Sequence, residues 1–136
     1  MSCRPARCIA QSGEIVITSV DREGKGEGFD CELVQGVTEG AGIPVIAHGG
    51  AGKAADVVTV IDEAKADAVA IASILHYGLI QHYESGSATD TEGNVEFLQQ
   101  NRSFNNLQVA TVGEVKQTMK EAGIRVRMVE TEKEMA

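Results

Sequence analysis

One pattern constrains the fold of this chain more than any other. A short apolar run, a glycine-rich loop and a helix-spaced segment follow each other, and the unit then recurs. Glu14 to Val20 is rich in β-branched residues and reads as a strand. It enters a polar loop, Asp21 to Gly28, with glycines at 24, 26 and 28. A helix follows from Asp30, its N-cap, to about Glu39, with Leu33, Val34 and Val37 on its apolar face and Gly40 and Gly42 as stops. Pro44 to Ala47 is a second buried strand, running into His48-Gly49-Gly50-Ala51-Gly52. A second helix is expected over Lys53 to Lys65, and Ala68 to Ala72 is the third strand, ending at Ser73. The strand ends at Asp21, His48 and Ser73 lie about 25 residues apart, the length of one strand–helix unit.

Continuous apolar strands alternating with helices define an α/β fold: about three parallel strand–helix units, covered by helices on the outer face. In such sheets ligands bind at the carboxyl ends of the strands, where all three small-residue clusters fall. Small residues let the backbone approach a ligand, and N–H groups at loop and helix starts cradle anions. A phosphate between the second and third strand ends fits this pattern.

Twenty acids against twelve bases give a net charge of −8, so an anion would have to be held locally by backbone N–H groups. No Lys/Arg stripe is visible, Trp is absent and aromatics are 4%, which argues against a nucleic-acid partner. No apolar run reaches the roughly 18 residues of a membrane span, and Met1 to Ala10 lacks the apolar core of a secretory signal. Cys3, Cys8 and Cys31 have no CxxC pairing, so no metal is expected and reduced thiols in a cytoplasmic protein are the simplest reading. His76 and His82 are six apart, off the metal spacings on a helix.

Individual residues carry competing readings. Asp21 is a carboxylate at a strand terminus, able to act as acid, base or acceptor, or to cap a turn. His48 is a candidate base or simply a polar strand-end residue. Thr18 and Ser19 either face a ligand or satisfy the interior. Cys31 opens a helix, which would lower its pKa, or is a buried structural thiol. Gly49-Gly50-Ala51-Gly52-Lys53 fails as a P-loop, because Ala47 stands where the first glycine is needed and Ala54 where Ser or Thr is needed. A dinucleotide fingerprint counted from Gly50 fails at Ala55.

After Ser73 a short helix is expected from Ile74 to Tyr83. The stretch 84–110 reads as a polar insertion, with a short helix at Val95 to Gln100. A last helix starts with Thr111 as N-cap, Glu114 completing a capping box, and Gly123 ends it. Ile124 to Val129 reads as extended and Thr131 to Ala136 as frayed.

Four segments together carry a resemblance: Thr18-Ser19-Val20-Asp21-Arg22-Glu23-Gly24 with Gly28-Phe29-Asp30; Pro44 to Lys53; Ala70 to His76; and Glu114-Val115-Lys116 with Ala122 to Arg127. In order and content they resemble the cyclase subunit of imidazole glycerol phosphate synthase. That family is a (β/α)₈ barrel of histidine biosynthesis. With a glutaminase partner, it uses ammonia to convert a phosphoribulosyl formimino-carboxamide nucleotide into imidazole glycerol phosphate and an aminoimidazole carboxamide ribotide. The resemblance implies that residues 1–136 are a single domain corresponding to the last three units of a partial TIM-type barrel. It implies that Glu23, Gly24, Gly49, Gly50, Ala72 and Ser73 line a substrate phosphate site, with auxiliary active-site roles for Asp21 and Thr18 and no cofactor. Glu23 replaces the aspartate usual in the family, a change that binding through its backbone N–H would tolerate.

A complete barrel takes about 250 residues. The family's principal acid/base aspartates belong to the first and fifth strands, which have no counterpart here. The chain is thus expected to grip a phosphorylated ribonucleotide-type substrate without being catalytically complete alone. The alternative is a non-catalytic phosphate-binding module that forms homo-oligomers to cover its sheet.

Overall fold

A computed structural model describes residues 13–83 and 107–128. The expected helix at 95–100, most of the insertion at 84–110, the residues beyond 128, and Cys3 and Cys8 lie outside the described residues. The elements run β1 (Ile15–Thr18), α1 (Cys31–Thr38), β2 (Val45–His48), α2 (Ala54–Asp62), β3 (Ala68–Ala70), α3 (Ser73–Tyr83) and α4 (Val112–Glu121). The three strands form one parallel sheet in the order β1-β2-β3. This is the α/β alternation of a partial (β/α)₈ barrel.

The register sorts the strand residues onto two faces. Ile17, Ala47 and Val69 lie side by side and pack against the helices. There they meet a core of Phe29, Val34, Val57, Val60, Ile74 and Val115. Val57, Val60 and Ile74 are fully buried, and each contributes about 1.5–3 kcal/mol by leaving water. The other face carries two rows, Val16, Ile46 and Ala68, then Thr18, His48 and Ala70. Val16 on this face is 58% exposed. A closed barrel buries such rows in its interior.

Local chemistry sets the helix ends. Thr111 and Glu114 form the expected capping box of α4, with the Glu114 N–H on Thr111 Oγ1 at 3.2 Å and the Thr111 N–H on Glu114 Oε2 at 2.7 Å. At its far end Gly123 takes φ +81°, Gly123 N–H reaches the Lys120 carbonyl and Ile124 N–H the Met119 carbonyl, a Schellman closure. Of the extended run expected over Ile124 to Val129, residues 124–128 belong to no helix and pair with no strand among the described residues, and Val129 lies outside them. α2 stops at Asp62, before the expected Lys65, because Lys65 turns left-handed at φ +58°.

The first loop is pinned by one carboxylate. Asp30 Oδ1 accepts the Leu33 N–H at 3.1 Å as N-cap of α1, and Oδ2 accepts the buried Ser19 hydroxyl at 3.1 Å. Asp30→Ala removes the cap and leaves Ser19 unpaired, so a loss of about 2–4 kcal/mol is expected in urea unfolding. A loss below about 0.5 kcal/mol would contradict this role.

Candidate phosphate cleft at the strand ends

The turn after β1 and the loop after β2 are tied together. Arg22 and Glu23 donate their N–H groups to the Ser19 carbonyl at 3.2 and 3.0 Å, and Gly28 N–H reaches the Gly50 carbonyl at 2.8 Å. Gly49 and Gly50 take φ +89° and +106°. A side chain at Gly50 would run into the Gly28 carbonyl, and one at Gly49 would lie 2.7 Å from Glu23 Oε2. Only glycine allows this approach.

These loops and the start of α3 enclose a small cleft of about 20 Å³ at the carboxyl end of the sheet. Glu23, Gly24, Gly49, Gly50, Ala72 and Ser73 all line it, with His48 and Ala70 beneath them. The six residues singled out from the sequence, spread over 51 positions of chain (23 to 73), are therefore brought together. α3 begins at Ser73, and the Ala72 carbonyl accepts from Leu75 and His76. Its first N–H groups, of Ser73 and Ile74, have no acceptor within the helix and sit at the positive end of its dipole.

The start of α2 is different, although it follows the glycine run directly. Asp56 Oδ2 accepts from Gly52 N–H at 2.8 Å and Lys53 N–H at 3.0 Å. The chain's own carboxylate satisfies the groups that a P-loop would present to a phosphate, which gives a structural reason for the failed motif.

Neither Thr18 nor Asp21 lines the cleft. The Thr18 hydroxyl lies 3.1 Å from His48 Nδ1, and Asp21 is exposed in the turn after β1. Glu23 spends its N–H on the turn and presents its side chain instead, with Oε2 3.7 Å from His48 Nδ1. His48 is the residue that sequence reasoning underweighted. Its position at a strand end was visible, but its neighbours 30 and 25 residues earlier were not.

Cys31 corrects one expectation. Its thiol is raised above the ordinary 9.0, first by burial and then by the charges of Glu63 and Asp30, with Arg22 opposing. These effects exceed any lowering by the helix start. The folded state holds this proton more tightly than the unfolded chain does. Stability from it is therefore intact below pH 9.0 and falls as pH rises through the higher folded value. Iodoacetamide at pH about 8 should modify the Cys31 peptide at least about threefold more slowly than a free thiol, read by mass spectrometry. Equal rates would contradict the burial.

Two larger hollows do not combine these features. One of about 530 Å³ lies at the amino ends of the strands, where Val45 N–H is already held by Asp67 Oδ2 at 2.9 Å. The other, about 290 Å³, lies between α3 and the start of α4 and is mostly apolar. Among the described residues, no three His, Cys, Asp or Glu side chains converge as a metal site would, and no helix is long and apolar enough to cross a membrane.

A parallel strand–helix series with its ligand-type loops at the strand carboxyl ends defines a barrel-type α/β protein. The model of the histidine biosynthesis protein family matches residues 9–81, over half of the chain, and the chain belongs to that family. It is 51% identical over 67 residues to the imidazole glycerol phosphate synthase subunit HisF of Dehalococcoides mccartyi, covering 49% of this chain and 26% of that protein. It is 35% identical over 121 residues to the subunit HisF of Myxococcus xanthus, covering 88% of this chain and 36% of that protein. Its identity to the Bifidobacterium adolescentis subunit HisF is 39% over 116 residues, or 85% of this chain and 33% of that protein. The chain thus spans about a quarter to a third of the length of these curated relatives.

Proposed function

We propose that this chain supplies the last three strand–helix units of an imidazole glycerol phosphate synthase cyclase and grips one phosphate of its substrate. The observation that carries the reading is the meeting of Glu23, Gly24, Gly49, Gly50, Ala72 and Ser73 in one cleft at the strand ends. The similarity to the HisF subunits supports it. The phosphate lies against the small residues of the second loop and the first N–H groups of α3, whose partial positive charge offsets the chain's acidity. The rest of a phosphorylated ribonucleotide-type substrate extends over the row Thr18, His48 and Ala70. Asp21, exposed in the turn after β1, serves as a hydrogen-bond acceptor or auxiliary acid/base, and Thr18 as a hydroxyl partner.

The principal acid/base pair and the second phosphate grip come from the strands that precede these in the family. Ammonia reaches the ring-closing step from a glutaminase subunit. The experiment is complementation: this chain is mixed with the preceding portion of a relative's barrel, and formation of imidazole glycerol phosphate from the nucleotide and ammonia is followed. Turnover is expected only in the mixture. Stable association without turnover would contradict the cyclase reading.

A second reading has its own support in the sheet face away from the helices, where Val16 is 58% exposed. Such a face invites a second copy of the chain. A defined homo-oligomer by light scattering, with a cooperative melt raised by sugar phosphate, would favour a self-sufficient phosphate-binding module.

A further inference from the structure

The cleft contains a charge arrangement that a phosphate site does not require. The Glu23 carboxylate projects over Gly49, with Oε2 2.7 Å from where a Gly49 side chain would begin and 3.7 Å from His48 Nδ1. His48 Nδ1 also lies 3.1 Å from the Thr18 hydroxyl. Nδ1 thus faces a hydroxyl and a carboxylate, leaving Nε2 without a contact to either. The space that remains, about 20 Å³, suits about one water molecule. An oxyanion entering beside the carboxylate would be repelled by it.

We propose that Glu23 and His48 form an exchange pair that gates the cleft: the Glu23 carboxylate occupies the anion cradle when it is empty, and an entering oxyanion displaces it and takes the His48 imidazolium as its cationic contact. The proposal rests on the phosphate reading above and adds the groups that set its affinity and charge preference. Arg22, on the same turn, directs its guanidinium to the Glu27 carbonyl at 3.4 Å and carboxylate at 4.0 Å. Asp21 is exposed on that turn, and the β3 side offers only Ala70, Ile71, Ala72 and Ser73. Among the described residues, His48 is therefore the one side chain lining the cleft that can become a cation. Protonation of His48 favours oxyanion binding, and by reciprocity the oxyanion holds that proton more tightly.

Sulfate is the clean probe, because it keeps both charges across this pH range. Calorimetric titration of sulfate into the full chain at pH about 5.5 and about 8 is expected to show at least about tenfold tighter binding at the lower pH. Glu23→Gln, an exposed substitution that leaves the fold intact, should bind about tenfold more tightly than the parent at the higher pH. His48→Asn should bind with little pH dependence. In the parent, the His48 ring protons followed by NMR should titrate at higher pH with sulfate bound. Weaker binding by Glu23→Gln, or an undiminished pH dependence in His48→Asn, would overturn the pair while leaving the phosphate cleft standing. No sulfate binding by the parent or by Glu23→Gln at either pH would overturn both.

Discussion

Gly50→Ala is expected to be the most damaging single-methyl change in the described fold. The added carbon would meet the Gly28 carbonyl and lie 2.9 Å from Arg22 Cβ, in a backbone already at φ +106°. Neither neighbour can step aside easily. Gly28 is backbone and is bonded through its own N–H to the Gly50 carbonyl, and Arg22 is anchored by its N–H to Ser19. Backbone strain of about 1–3 kcal/mol adds to overpacking of about 1–3 kcal/mol. A total of about 2–6 kcal/mol is a large part of the 5–15 kcal/mol that holds a small domain together. The melting temperature should fall by at least about 10 °C. Gly36→Ala is the control: Gly36 lies within α1 with nothing near its added carbon, and helix propensity there should add about 0.5–1 kcal/mol. Equal effects from the two substitutions would show that the close approach of the two loops is not formed.

Ile46→Lys separates folding of the chain from whatever covers its sheet. Ile46 sits on the middle strand between Val16 and Ala68, on the face away from the helices. In the chain alone the lysine head reaches water, so unfolding free energy should change by less than about 1 kcal/mol. Against a covering set of strands the ammonium is buried without a partner, which costs several kcal/mol. Association with the complementary barrel portion, or with a second copy, should weaken by more than about a hundredfold. Sedimentation of the mixture reads this directly. Undiminished association would mean that this face is not the contact surface.

The architecture was legible because each element carries its own local signal. β-branched and apolar runs marked the strands, Asp30 and Thr111 the helix starts, and Gly123 a helix end. All of these act within a few residues of chain. That the small-residue loops share one end was legible because parallel α/β sheets put every loop of this kind there; the six individual residues came from the resemblance to the cyclase family. What stayed hidden depends on side chains meeting across the sheet. The taking of the Gly52 and Lys53 N–H groups by Asp56, the contact of Thr18 with His48, and the turn of Glu23 towards Gly49 follow from register and loop path, not from spacing. The Cys31 thiol was misjudged in one of its readings because burial and the Glu63 charge are tertiary effects.

The claim at the centre is that a phosphate sits in the cleft between the second and third strand ends, not at the start of α2. An amide-resolved NMR titration of the full chain with ribose 5-phosphate tests it most directly. Saturable shifts are expected at Gly24, Gly49, Gly50 and Ser73, with Gly52 and Lys53 little changed because Asp56 already holds their N–H groups. Shifts centred on Gly52 and Lys53, or none at any of these amides, would contradict it.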